Sequence, residues 1–137
     1  MKIKEIQKTK KHKIGQLNRN GVKTESSEDS TLLFLTQFGF DIEIIKPIAS
    51  KRTKNPDIIM LGTIWEIKTP TSTNKNTIKN RFREASKQST KIIFDLRHIK
   101  KDSDKAKSQI LAMFKEDGRV RRMIIIETND TLLDVIK

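Results

Sequence analysis

Asp57, Glu66 and Lys68 stand inside two apolar runs that meet at a glycine, NPDIIMLGTIWEIKTP, residues 55–70. Charged groups seldom enter such a setting unless they pair with one another or hold a metal. If the chain turns at Leu61 and Gly62, Asp57 faces Glu66 across a hairpin, and Lys68 lies two residues further on the same face. Ile58, Met60, Trp65 and Ile67 then share the opposite face, ready to pack beneath a helix. Two carboxylates so close repel, which either raises one pKa or recruits a cation between them. A divalent ion there can polarise a phosphoryl oxygen and acidify a bound water, and an adjacent ammonium can stabilise the developing charge. This is the chemistry of phosphodiester hydrolysis. The competing reading is a plain ion pair between Lys68 and either acid, worth about 0–1 kcal/mol at an exposed sheet edge.

Several elements must position these residues. SSEDSTLLFLTQFGF reads as a helix, with Ser26 or Ser27 as N-cap, acids in the first turn, and Leu32, Leu35 and Phe38 at helical spacing. Gly39 is its expected stop. FDIEIIKPI reads as a strand ending near Pro47, SKRTKN as a polar turn, and IIMLGTIWEI as the hairpin. After the loop PTSTNKN, NTIKNRFREASKQS is a helix with Ile78, Phe82 and Ala85 inward. KIIFDL is a strand, SDKAKSQILAMFKE a helix aligning Ala106, Ile110 and Met113, RRMIIIET a strand, and TLLDVIK a last helical turn. The order predicts an α/β fold: one domain, residues 25–137, with a mixed central sheet flanked by helices. Residues 1–24 read as a basic flexible arm or linker, because they show no sustained periodicity.

Charge narrows the partner. The 137 residues carry a formal net charge of +12. Residues 1–24 hold eight Lys and Arg against Glu5 alone, and residues 25–137 hold 21 against 16 acids. A basic arm on a milder basic body points to a polyanion, with nucleic acid first; the competing reading is a coding bias towards Lys, Asn and Ile. The chain has no cysteine, so any metal must be held by carboxylates, carbonyls or His12 and His98. That donor set favours hard ions such as Mg2+ or Mn2+. No apolar run approaches the ~20 residues of a membrane span, and the start carries no signal-peptide pattern. With few aromatics and no Tyr, a broad base-stacking platform is not expected, and Trp65 is assigned to the core.

Pro56–Asp57 and Glu66–Ile67–Lys68 resemble the PD-(D/E)xK, or restriction-endonuclease-like, nuclease superfamily. The resemblance implies an αβββαβ core, here with an additional helix and strand. It is closest to the tRNA-nuclease C-terminal toxin domains of contact-dependent growth inhibition and related polymorphic toxin systems. Glu28 eleven residues before Gly39–Phe40, ExK followed by Thr69–Pro70, and a helix bearing Gln88 ahead of KIIFDL carry that narrower likeness. The chain departs from the commonest pattern at Asp29–Ser30.

By that resemblance Asp57 and Glu66 hold the metal, Glu28 (with Glu25 next) completes the site, and Lys68 is the catalytic lysine. Gln88 faces the site. Arg81, Glu84 and Gln88 share one side of their helix, while Lys75, Lys79, Arg83 and Lys87 make the other faces basic and suited to phosphates. Arg81, Lys79, Arg97 and His98 are taken with Gln88 as substrate contacts, the last pair reaching RNA from a strand end. The implied activity is a metal-dependent endoribonuclease cleaving tRNA. Its implied setting is the bacterial cytoplasm, after delivery from a larger secreted or mobile-element protein, with an acidic immunity protein as partner. The alternatives are a DNA endonuclease of the same fold, a silent nucleic-acid-binding module, and a basic ribosome-associated protein.

Overall fold

A computed structural model describes residues 1–7, 13–46 and 58–137. Eight strands, β1 (Lys2–Gln7), β2 (Leu17–Asn18), β3 (Ile42–Ile44), β4 (Ile58–Met60), β5 (Thr63–Lys68), β6 (Lys91–Asp95), β7 (Arg122–Ile126) and β8 (Thr131–Ile136), form one mixed sheet. Its order is β1-β8-β7-β6-β5-β4-β3-β2. The strands β5, β6 and β7 are parallel, as are β2 and β3, and the remaining neighbours are antiparallel. Among the described residues the helices are α1 (Ser26–Gln37), α2 (Lys75–Gln88) and α3 (Ser103–Glu116). The expected α/β class and the order of elements from α1 to β7 are therefore observed.

Alternation along the central strands divides the core between two faces. Ile58, Met60, Trp65, Ile67, Ile93 and Ile124 pack with Leu32, Phe34 and Leu35 of α1. Ile92, Phe94, Met123 and Ile125 pack with Ile78, Phe82 and Ala85 of α2 and with Ala106, Ile110 and Phe114 of α3. Trp65 is fully buried, and its indole N–H donates to the Met60 carbonyl at 2.8 Å.

Helix α1 runs against the parallel strands. Since β3 is antiparallel to β4 and β4 to β5, β3 and β5 share a direction, and α1 reverses into β3 within a few residues. The N-terminus of α1 consequently lies over the C-terminal ends of β5 and β6. Thr31 anchors it there, its hydroxyl donating to Asp95 Oδ2 at 2.6 Å.

Four expectations need correction. The arm is not uniformly without structure, because Lys2–Gln7 pairs along its full length with β8. Only Ile6 in that strand is even half-buried, so backbone pairing rather than an apolar pattern defines it, and its lysines suit an open sheet edge. Residues 13–18 are also held: the Gly15 N–H donates to the Thr36 carbonyl at 2.7 Å, and the Ile42 N–H to the Gln16 carbonyl at 2.8 Å. A Cβ on Gly15 would collide with the Phe40 carbonyl, so this close approach requires glycine. The segment 131–136 is a strand and not a helical turn. Asp130 at φ +62° closes a short loop after β7, the Glu127 N–H donates to Thr131, and a hairpin results. The N-cap of α1 is Glu25, making Ser26 the first helical residue. Finally Phe114, not Met113, completes the buried row of α3, at the four-residue spacing set by Ala106 and Ile110. The expected turn SKRTKN, Pro47, Pro56, Asp57 and His12 lie outside the described residues.

Candidate active site

The hairpin that positions the site has the register expected of it. Ile58 pairs with Trp65, Ile59 with Ile64 and Met60 with Thr63. Leu61 and Gly62 form the turn at φ +55° and +74°, the left-handed pair of a two-residue hairpin loop. With Trp65 and Ile67 committed to α1, Glu66 and Lys68 point to the face carrying α2, beside Ile92 and Phe94 of β6. Both are buried, at 1% and 5% exposure. Asp57, the remaining member of the sequence triad, lies outside the described residues.

Lys68 Nζ stands 3.7 Å from Glu66 Oε1 and 3.4 Å from Glu84 Oε2. Glu84 belongs to α2, is about half exposed, and also meets Arg81 Nη1 at 3.4 Å. The ammonium thus sits between a desolvated carboxylate on its own strand and a wetter one on the next helix. A buried pair of this kind costs about 3–5 kcal/mol when one partner is removed, because the survivor is left charged and unsolvated. This is not the exposed edge pair considered from the sequence.

Glu28 is in the first turn of α1, buried, three residues before Thr31 and so on the same side of the helix. It lies towards the C-terminal edge of the parallel strands, but on α1 and so on the sheet face opposite Glu66 and Lys68. Burial holds its carboxyl above the usual range, and Glu25 and Asp29 push the same way, against a backbone hydrogen bond at Glu25. Asp29 is held low, first by the Thr24 hydroxyl and then by Arg19, 2.9 Å away. Among the described residues no three Asp, Glu or His side chains gather as a metal cage. The donor chemistry would nonetheless suit a hard ion: Glu66 offers a buried carboxylate, and the acids expected with it are carboxylates too.

Lys79 and Arg81 are exposed on α2, with Lys75, Arg83 and Lys87, and Gln88 is its last, exposed residue. Arg97 and His98 are placed differently. The Arg97 guanidinium donates to both Asp95 oxygens, at 3.0 and 2.8 Å, and to the carbonyl and hydroxyl of Ser30, and it lies 4.4 Å above the Phe34 ring. Asp95 is completely buried. Nε2 of His98 is enclosed, with no hydrogen-bond partner among the described residues. Arg97 therefore ties α1 to the end of β6, on the face opposite Glu66 and Lys68.

Glu84 and Asp95 were not singled out from the sequence. Glu84 falls in the helical row of Arg81 and Gln88, but its approach to Lys68 depends on how α2 lies over β5. Asp95 carried a usable signal, an acid inside the apolar strand KIIFDL. An open cleft of about 560 Å³, lined by Asn18, Asp41, Glu43, Leu61 and Gly62 among others, lies at the hairpin tip. That is the opposite end of β5 from Lys68 and is not part of the site.

Fold and site together define a small mixed-sheet α/β domain with a buried Glu-x-Lys pair on the second strand of a central hairpin. The fold is similar to a solved chain of the CdiA-CT/CdiI toxin and immunity complex from Burkholderia pseudomallei. The TM-score is 0.67 at 16% identity, over 90% of this chain and 100% of that one. No curated protein sequence matches the chain. Residues 54–132 match the model of the contact-dependent growth inhibition CdiA C-terminal domain, and the chain belongs to this family of toxin domains. Among the described residues no helix is long and apolar enough to cross a membrane.

Proposed function

We propose that this toxin domain is a metal-dependent endoribonuclease of the PD-(D/E)xK type, with tRNA as its substrate. The observation that carries the reading is the buried Glu66–Lys68 pair on β5, the second strand of the hairpin. Asp57 and Glu66, with Glu28 from α1, would hold Mg2+ or Mn2+. Such an ion supplies Lewis acidity to the phosphoryl group and acidifies a bound water. Lys68 presents its ammonium to the charge that develops on the phosphate oxygens. Burial strengthens that interaction, because little water screens it. Lys79 and Arg81 on the exposed side of α2, with Gln88 at its end, track the RNA backbone and position the scissile phosphate without reading bases. In the cleavage a water oxygen bonds to phosphorus, one phosphorus–oxygen ester bond breaks, and the leaving oxygen takes up a proton.

The family and the neighbouring toxin and immunity complex support a setting in which a larger secreted protein delivers the domain into the cytoplasm of a target bacterium. The producing cell would then protect itself with an immunity protein. An acidic one would complement the net charge of +12 and cover the basic α2 face. The test is a gel of total RNA and plasmid incubated with wild type and Lys68→Ala, with Mg2+, with Mn2+ and with chelator. Metal-dependent shortening of tRNA by wild type alone supports the reading. Nicked plasmid beside intact tRNA moves the substrate to DNA, and no cleavage of either overturns the enzymatic reading.

A further inference from the structure

We infer that Glu84 is a positioning residue for Lys68: from α2 it holds the ammonium against the pull of Glu66 and so sets where that charge stands when a phosphodiester is cut. The inference rests on the nuclease reading above. A lysine side chain is a flexible stem ending in a point charge with no preferred direction, and fixing it costs rotamer entropy. Glu66, two residues back on the same strand, draws Nζ along β5 towards the position assigned to the metal, where a second cation is repelled. Glu84 Oε2, at 3.4 Å, is nearer than Glu66 Oε1, at 3.7 Å, and comes from another element. Two carboxylates from different directions fix the ammonium where either alone would not. Arg81, one turn earlier at 3.4 Å, steadies Glu84 in turn.

The chemistry of the helix surface points the same way. Lys75, Lys79, Arg83 and Lys87 make the neighbouring exposed faces of α2 basic, and an acid beside them opposes the binding of a polyanion. A surface acid with no other role would therefore weaken substrate binding and leave turnover untouched. Contact with buried Lys68 gives Glu84 the opposite signature.

The experiment measures kcat and KM on tRNA for wild type, Glu84→Gln, Glu84→Asp and Lys68→Ala/Glu84→Gln. It also records the Lys68 Nζ resonance of metal-free protein carrying 15N-labelled lysine. Glu84→Gln should lower kcat on the order of ten- to a hundredfold, the cost of a misplaced group, with KM unchanged or lower. Glu84→Asp should recover part of the loss, and Glu84→Gln should slow Lys68→Ala no further. The Lys68 Nζ signal should shift and broaden in Glu84→Gln. An unchanged kcat with a lower KM overturns the inference, as does a kcat loss with an unmoved Lys68 signal. Wild type that leaves RNA intact overturns the nuclease reading and this role with it, whereas a cleaving wild type matched by Glu84→Gln overturns this role alone.

Discussion

Replacing Lys68 by methionine keeps most of the buried stem and removes only the charge, so it measures what the ammonium contributes to the fold. Glu66 is 1% exposed, and its Oε1 stands 3.7 Å from the Lys68 ammonium. Glu84, half exposed, regains water and loses little. The cost therefore falls on Glu66. Leaving a buried carboxylate without its counter-charge destabilises by about 3–5 kcal/mol. For a domain of this size that is a fall in Tm on the order of 10 °C. Urea and thermal melts should be run with chelator, so that no bound cation replaces the ammonium. One control isolates the mechanism. Glu66→Gln/Lys68→Met should recover most of the loss, since removing both partners leaves no bare charge. If Lys68→Met melts within about 0.5 kcal/mol of wild type at pH 7, the pair is not desolvated as described and the argument fails.

Other outcomes follow from individual contacts. The Glu28 carboxyl is raised by burial, so the folded state binds its proton more tightly, and its contribution to stability falls as pH rises from 4.5 through the elevated value. In metal-free urea melts from acid to neutral pH, Glu28→Gln should flatten that decline and be at least as stable at pH 7; a steeper decline would contradict the assignment. Arg97→Ala should cost about 3–5 kcal/mol by stranding buried Asp95, while KM for RNA in the folded fraction stays unchanged. A raised KM without loss of stability would instead make Arg97 a substrate contact. Gly15→Ala should cost about 1–3 kcal/mol, because its Cβ meets the Phe40 carbonyl, with turnover of the folded protein preserved; an unaltered Tm would show that the 13–18 segment yields freely.

The parts of the fold that were legible in the sequence are those in which local chemistry and packing agree. Gly62, alternating side chains and flanking apolar residues placed the β4–β5 hairpin and its register, and with it the side of the sheet to which Glu66 and Lys68 turn. The helices α2 and α3 were equally plain from their apolar spacing, although the buried row of α3 ends at Phe114 and not Met113. What failed was decided elsewhere in the molecule. Lys2–Gln7 is a strand because β8 offers it a backbone partner, and no property of KIKEIQ itself requires that. The segment 131–136 reads either as a helical turn or as a strand until the Asp130 loop folds it onto β7. The same division runs through the site. The acid and lysine on one strand could be read from spacing alone. Glu84 depends on the seating of α2, and Arg97, expected to reach RNA from a strand end, is drawn instead onto the buried Asp95.

The most direct test of the account is a crystal of the domain soaked in Mn2+ and examined for anomalous scattering. The account predicts a manganese peak bound by the Glu66 and Asp57 carboxylates in wild type and its loss in Glu66→Gln. Active protein whose soaked crystals show no peak at Glu66, or place the ion away from both acids, would contradict it.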